Sequence, residues 1–196
     1  MNEEYHFTKL AEIRRQVSTE KNEFTTMGIV VDCTNPHRKD AKKDFCVKLK
    51  MIDPSSPTEP CHVFLYSRQA EDFPRNIRLG DILLLNKYGF EVWNDALQAK
   101  KHFKVFGAEF RFFSGEPNAD GYTPIGNQNA IDDFDGSVLG LIKELRKFSQ
   151  NYFKKNNVPL YTKSSRLASD FDLILQVTGS EPLNEGFKIR MKDTVN

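Results

Sequence analysis

DFCVKLKMID (44–53) decides the fold: Phe45, Val47, Leu49 and Met51 alternate with Cys46, Lys48 and Lys50. That period of two belongs to a strand with one face in a core and the other in water. Working outward, four further β-rich stretches surround it: FTTMGIVVDCT (24–34), CHVFLYS (61–67), DILLLNKYGFEVW (81–93) and HFKVFGAEFRFF (102–113). Between the third and fourth strands, SRQAEDFPRN (67–76) predicts a short helix stopped by Pro74, and Gly80-Asp81 turns the chain into the next strand. Gly28, Gly89 and Gly107 lie inside strand stretches, where glycine marks bulges or the sharp bends of a small closed barrel. Five strands with a helix between the third and fourth is the element order of the OB fold, a Greek-key barrel that binds oligonucleotides or oligosaccharides. SH3-like barrels have similar strand counts, but the position of the helix and the long first hairpin favour the OB fold. The expected class is therefore mainly β, a five-stranded OB barrel with flanking helices.

Outside the barrel (24–115), Thr8 is expected to cap a short helix carrying Leu10, Ile13 and Val17, so residues 1–23 form an N-terminal brace. A Gly-, Asn-, Asp- and Pro-rich linker (116–135) leads to an amphipathic helix (136–157) with Val138, Leu141, Ile142, Leu145, Phe148 and Tyr152 on one stripe. DFDLILQVTGSEPLNEGFKIRMKD (170–193) reads as two strands around a Gly-bounded loop. Its FKIRMK echoes FCVKLK of the first barrel. Residues 158–196 are accordingly expected to open a second OB barrel. Such a piece alone would leave strand edges unpaired, which marks the sequence as a fragment or a chain whose tail docks elsewhere.

Composition narrows the function. The 196 residues hold 28 Lys and Arg against 27 Asp and Glu, a net charge of +1, so any nucleic-acid affinity must come from a local patch. With 39% hydrophobic residues and 16 Phe, the chain has apolar surface enough to fold. Cys33, Cys46 and Cys61 form no CxxC pair, which argues for buried thiols in a reducing compartment. No stretch resembles a signal peptide or a membrane span, so a cytosolic or nuclear protein is expected. The phosphate-loop, dinucleotide, HExxH and GxSxG motifs are all missing, and neither enzymatic activity, cofactor nor metal is expected. Asp132, Asp133 and Asp135 precede a helix, where anions complement the N-terminal dipole.

OB ligands lie across the second and third strands, between the loop joining strands one and two and the loop joining strands four and five. The first loop, NPHRKDAKKD (35–44), carries Arg38, Lys39, Lys42 and Lys43; the second, NDALQAKKHFK (94–104), carries Lys100, Lys101 and Lys104. Lysines on both rims of one cleft favour a phosphate backbone through counterion release. Tyr66 ends the third strand, Trp93 ends the fourth, and His37 sits in the first loop, offering flat rings on which bases stack.

GIVVDCTNP, DFCVKLKMIDPSS and VFLYSRQAEDFPRNIRLGDILLLNKYGFEVW together resemble the first OB domain of the protection-of-telomeres family, most closely its ciliate alpha-subunit branch, over about residues 5–155. The resemblance implies binding of the G-rich single-stranded 3′ overhang in the nucleus, at the telomere, with bases stacked on Tyr66 and Trp93. It also implies contacts from Asp44 opening strand two, Lys87 in strand four, His37 and Thr34 in the first loop, and Gln98 in the second. As protein partner, the resemblance points to a beta-type telomere protein or a telomerase subunit. The alternative is an OB module that binds protein in such an assembly and does not hold DNA tightly; a third reading is a single-strand binder without sequence preference. Asp32 and Cys33 depart from the apolar or aromatic residues of similar proteins, and Leu84 from a basic one.

Overall fold

The structure is a computed structural model that describes residues 6–17, 22–38, 44–74, 77–100, 109–117, 119, 124–125, 136–156, 175–183 and 186–193. The chain divides into two units, 1–160 and 161–196. In the first, helix α1 (Leu10–Gln16) precedes strands β1 (Glu23–Cys33), β2 (Phe45–Ile52) and β3 (Cys61–Ser67). A 3₁₀ turn (Ala70–Asp72) follows, then β4 (Ile82–Trp93), β5 (Ala96–Lys100), β6 (Glu109–Phe113) and helix α2 (Gly136–Lys155).

The sheet runs β1-β2-β3-β5-β4, and β1 also pairs with β4, so five strands close on themselves. β6 is added along the first half of β4. All pairs are antiparallel except β3 with β5, which is parallel, the closure expected of an OB barrel. The inward residues that the alternation of β2 predicts are there: Val47, Leu49 and Met51 are buried with Val30, Val63, Leu65, Phe90, Leu97 and Ala99. Phe45 is half-buried against that core.

Two placements differ from the sequence reading. The strand that closes the barrel is ALQAK (96–100), ahead of the expected 102–113. Asn94 and Asp95 both take positive φ (48° and 60°), so a two-residue turn of the primed hairpin type joins β4 directly to β5 where a loop was expected. Only Glu109–Phe113 of the expected fifth strand lies among the described residues as strand. Thr8 does not cap α1: its amide donates to the Thr25 carbonyl, and Lys9 at the cap position makes no side-chain bond. The Leu10 amide donates instead to Asp53 Oδ2 at 2.9 Å. Asp53 is buried and also accepts from the amides of Ser55 and Ser56, tying the helix start to the end of β2.

The stripe on α2 packs as its periodicity predicts. Val138, Ile142, Leu145 and Phe153 join Met27, Ile29, Ile52, Ile82, Leu84 and Phe113 in a second core, on the outside of β1 and β4. That face of the barrel is therefore covered, and the outer face of β2, β3 and β5 carries the half-buried and exposed side chains. Arg146 fixes the helix further, donating to the carbonyls of Ser114 and Ala119 at 3.0 Å each. In the second unit, β7 (Leu175–Leu183) and β8 (Gly186–Asp193) pair antiparallel. The acidic triplet 132–135 lies outside the described residues.

Gly28 is required by close approach. A Cβ there would stand 2.5 Å from the Ile52 carbonyl oxygen and 2.7 Å from Met51 Cγ. Gly28→Ala should therefore lower unfolding free energy by about 3 kcal/mol in urea denaturation, the cost of overpacking a filled core; an unchanged midpoint would refute that packing. Asp81 supplies a pH test. It is buried, accepts the Arg78 amide at 2.8 Å and the Gly115 amide at 3.1 Å, and burial pushes its carboxyl up to about 6. The folded state thus holds this proton more tightly than the unfolded chain, and the stability it contributes is full below the ordinary aspartate value and lost as pH rises through 6. Between pH 4 and 7, wild type should lose on the order of 2–3 kcal/mol relative to Asp81→Asn. A gap independent of pH would contradict the assignment.

Candidate nucleic-acid interface

Directly opposed residues in a sheet point the same way, so strand register alone lines up the outer side chains in rows. One row runs Asp32, Lys50, His62, Gln98 and Glu91 across β1, β2, β3, β5 and β4. The next runs Thr34, Lys48, Phe64 and Lys100: Thr34 and Lys48 exchange bonds, with the Thr34 amide 2.8 Å from the Lys48 carbonyl and the Lys48 amide 3.0 Å from Thr34 Oγ1. A third joins His37, Cys46 and Tyr66, with the His37 and Cys46 backbones bonded both ways at 3.1 and 2.8 Å. Trp93, opposite Ala96, shares the parity of Glu91 and Gln98 and closes the far end. From the Trp93–Ala96 level to Tyr66 is six residues of register, or about 20 Å at roughly 3.3 Å per residue.

Of the three rings singled out in the sequence, Tyr66 and Trp93 are both accessible. Trp93 is 61% exposed at the tip of β4, and Tyr66 is half-buried. Partial burial pushes the Tyr66 phenol above its ordinary value, and the Cys46 thiol beside it adds to the effect. Between these rings lies one the sequence reading missed. Phe64 is half-buried in the centre of the platform, with Lys100 Nζ 5.6 Å from its ring centroid, within reach of a cation–π contact. The signal was present, because His62, Phe64 and Tyr66 alternate with the buried Cys61, Val63 and Leu65. Lys48, Lys50 and His62 were missed as site residues for the same reason.

The remaining candidates divide. Gln98 and Lys100 are on the platform, as strand residues rather than loop residues. Thr34 is on it through Lys48, and His37 through Cys46. Asp44 is half-buried, immediately before β2 and near the Tyr66 end. Lys87 is not brought into these rows: it takes φ 52° where the β1–β4 register shifts, and its amide donates to Thr25 Oγ1 at 3.2 Å. Lys39, Lys42, Lys43 and Lys101 lie outside the described residues. Arg38 is described in the first loop, its guanidinium carbon 3.8 Å from the Phe45 ring centroid and Nη2 donating to the Arg68 carbonyl at 3.2 Å. Two platform lysines are held by carboxylates in exposed pairs: Lys50 with Asp32 at 3.0 Å, and Lys100 with Glu91. Such pairs contribute little and exchange readily for another anion.

Residues 2–159 match the family described as telomeric single stranded DNA binding POT1/CDC13. The chain belongs to that family. Among curated relatives, it is 27% identical over 201 residues to the telomere-binding protein 51 kDa subunit of Euplotes crassus, covering 89% of this chain and 44% of that protein. It is 24% identical over 194 residues to the telomere-binding protein subunit alpha of Stylonychia mytilus, covering 85% and 39%. The chain thus spans less than half the length of these relatives. Its fold is similar to that in the crystal structure of fission yeast Pot1 and ssDNA, at a TM-score of 0.60 and 16% identity, over 97% of this chain and 62% of that one. In this POT1/CDC13-family chain, the outer face of β2, β3 and β5 carries rings and amines, flanked by the carboxylates of Asp32 on β1 and Glu91 on β4.

Trp93 is the sole tryptophan, so intrinsic fluorescence reports the end of the platform alone. Its indole should emit as a water-exposed ring and be quenched by iodide nearly as freely as in the unfolded chain. A blue-shifted emission shielded from iodide would contradict its placement.

Proposed function

We propose that this chain is a non-catalytic cap for the G-rich single-stranded 3′ overhang of chromosome ends, acting in the nucleus at the telomere and controlling telomerase access. The observation that carries the reading is the unbroken register from Trp93 through Phe64 to Tyr66, which supplies three ring platforms along one surface with lysines beside them. An unpaired strand offers free base faces to such rings and phosphates to Lys48, Lys50 and Lys100, whereas a duplex hides its base faces. The loop lysines Lys39, Lys42, Lys43 and Lys101 would extend the charge at the rims. Family membership supports the telomeric strand as ligand. The β7–β8 hairpin is read as the opening of a second OB domain.

A second reading is favoured by one feature, the neutralisation of Lys50 by Asp32 and Lys100 by Glu91. A face whose lysines already have partners suits a protein ligand, such as a beta-type telomere protein or a telomerase subunit. Fluorescence anisotropy with a G-rich telomeric oligonucleotide, its complement and a scrambled strand separates the readings. The overhang-capping reading expects preference for the G-rich strand, weakening with salt. Phe64→Ala, Tyr66→Ala and Trp93→Ala should each cost about 1–3 kcal/mol of binding, the typical contribution of a base–ring stack. Absence of binding at moderate salt would favour the protein ligand, and equal binding of all three strands a binder without sequence preference.

A further inference from the structure

We propose that Asp32, together with Lys50, selects guanine within the strand bound on this platform; the inference rests on the single-strand reading of the site. Gly28 and Val30 face the barrel interior, so strict alternation along β1 would send Asp32 inward as well. A bulge prevents this. Val30 pairs with Met51 but Asp32 with Lys50, leaving Val31 as the extra residue and turning Asp32 to the outer face. Its side chain is 58% exposed, with Oδ2 3.0 Å from Lys50 Nζ. The pair lines a hollow of about 170 Å³ together with Thr34, Lys48, His62 and Phe64.

A carboxylate beside a phosphate-binding lysine weakens attraction for any DNA, so what it offers a strand is its acceptors. Ionised Asp32 has two oxygens side by side and no donor. Guanine alone among the DNA bases presents two adjacent N–H donors, N1–H and N2–H, on its pairing edge, with the acceptor O6 next to them. Adenine and cytosine each place an amino donor beside an unprotonated ring nitrogen, and thymine has one N–H between two carbonyls. A base stacked on Phe64 with its edge toward β1 meets two acceptors at Asp32 and an ammonium at Lys50, the complement of guanine. The exposed Asp32–Lys50 pair opens readily to admit that edge.

The test is anisotropy with a G-rich single strand and the same strand carrying inosine in place of guanine, which lacks the N2 donor. Wild type should prefer guanine roughly tenfold, in the range of a two-bond base contact. Asp32→Asn should shrink that preference to below about twofold, while binding the inosine strand at least as well as wild type. Glu144→Gln, an exposed acid on α2, run alongside, should keep the preference. Undiminished preference in Asp32→Asn, or an equal loss in Glu144→Gln, would overturn the proposal while leaving single-strand binding intact. Failure of wild type to bind either strand would instead remove the single-strand reading and this proposal with it.

Discussion

The parallel pairing of β3 with β5 is the contact on which the rest depends. It closes the barrel, and closure commits every second residue of β2, β3 and β5 to a filled interior. The alternate residues then have one place to go, the outer surface, where register fixes which of them meet. His62 opposite Gln98, and Phe64 opposite Lys100, are consequences of that pairing. Because β5 follows a two-residue turn, Trp93 is carried onto the same face as Tyr66 although they lie on strands that are not neighbours. Platform geometry and barrel stability therefore have a common origin.

The two faces of the barrel are used differently for a reason visible in composition. Outside β1 and β4 the side chains are Met27, Ile29, Ile82 and Leu84, which must be removed from water, and α2 supplies the cover. Outside β2 and β3 they are Lys48, Lys50, His62, Phe64 and Tyr66, which tolerate water and leave their rings and amines available. Helix α2 thus helps to define the binding face by occupying the other one. Its own attachment through Arg146 to the carbonyls that follow β6 links it to the barrel beyond apolar contact.

Much of this was legible in the sequence where the information is local. The alternation in 44–53 predicts which residues of β2 face inward, and the helical stripe predicts the buried face of α2. The same reasoning applied to CHVFLYS would have named Phe64; attention to aromatic residues at strand ends passed over the ring in the middle. Other features are not local. The amide of Leu10 is capped by Asp53, 43 residues away, and Thr8 looked adequate only because that partner is invisible in a nearby window. ALQAK, with its lysine and glutamine, has the composition of a loop rim when taken alone. The turn signal at Asn94-Asp95 became decisive only with both residues in the left-handed region. The bulge at Val31 is likewise a property of register between strands, so Asp32 showed itself in sequence only as a departure from similar proteins.

The measurement that most directly tests this account is amide chemical-shift mapping of the chain with and without a G-rich single strand. Perturbed amides should cluster on β2, β3 and β5, around Lys48, His62, Phe64, Tyr66 and Gln98, with the Trp93 side-chain signal moving and α2 silent. Perturbations centred on α2 and its contacts with β1 and β4, with the Phe64 row unmoved, would contradict it.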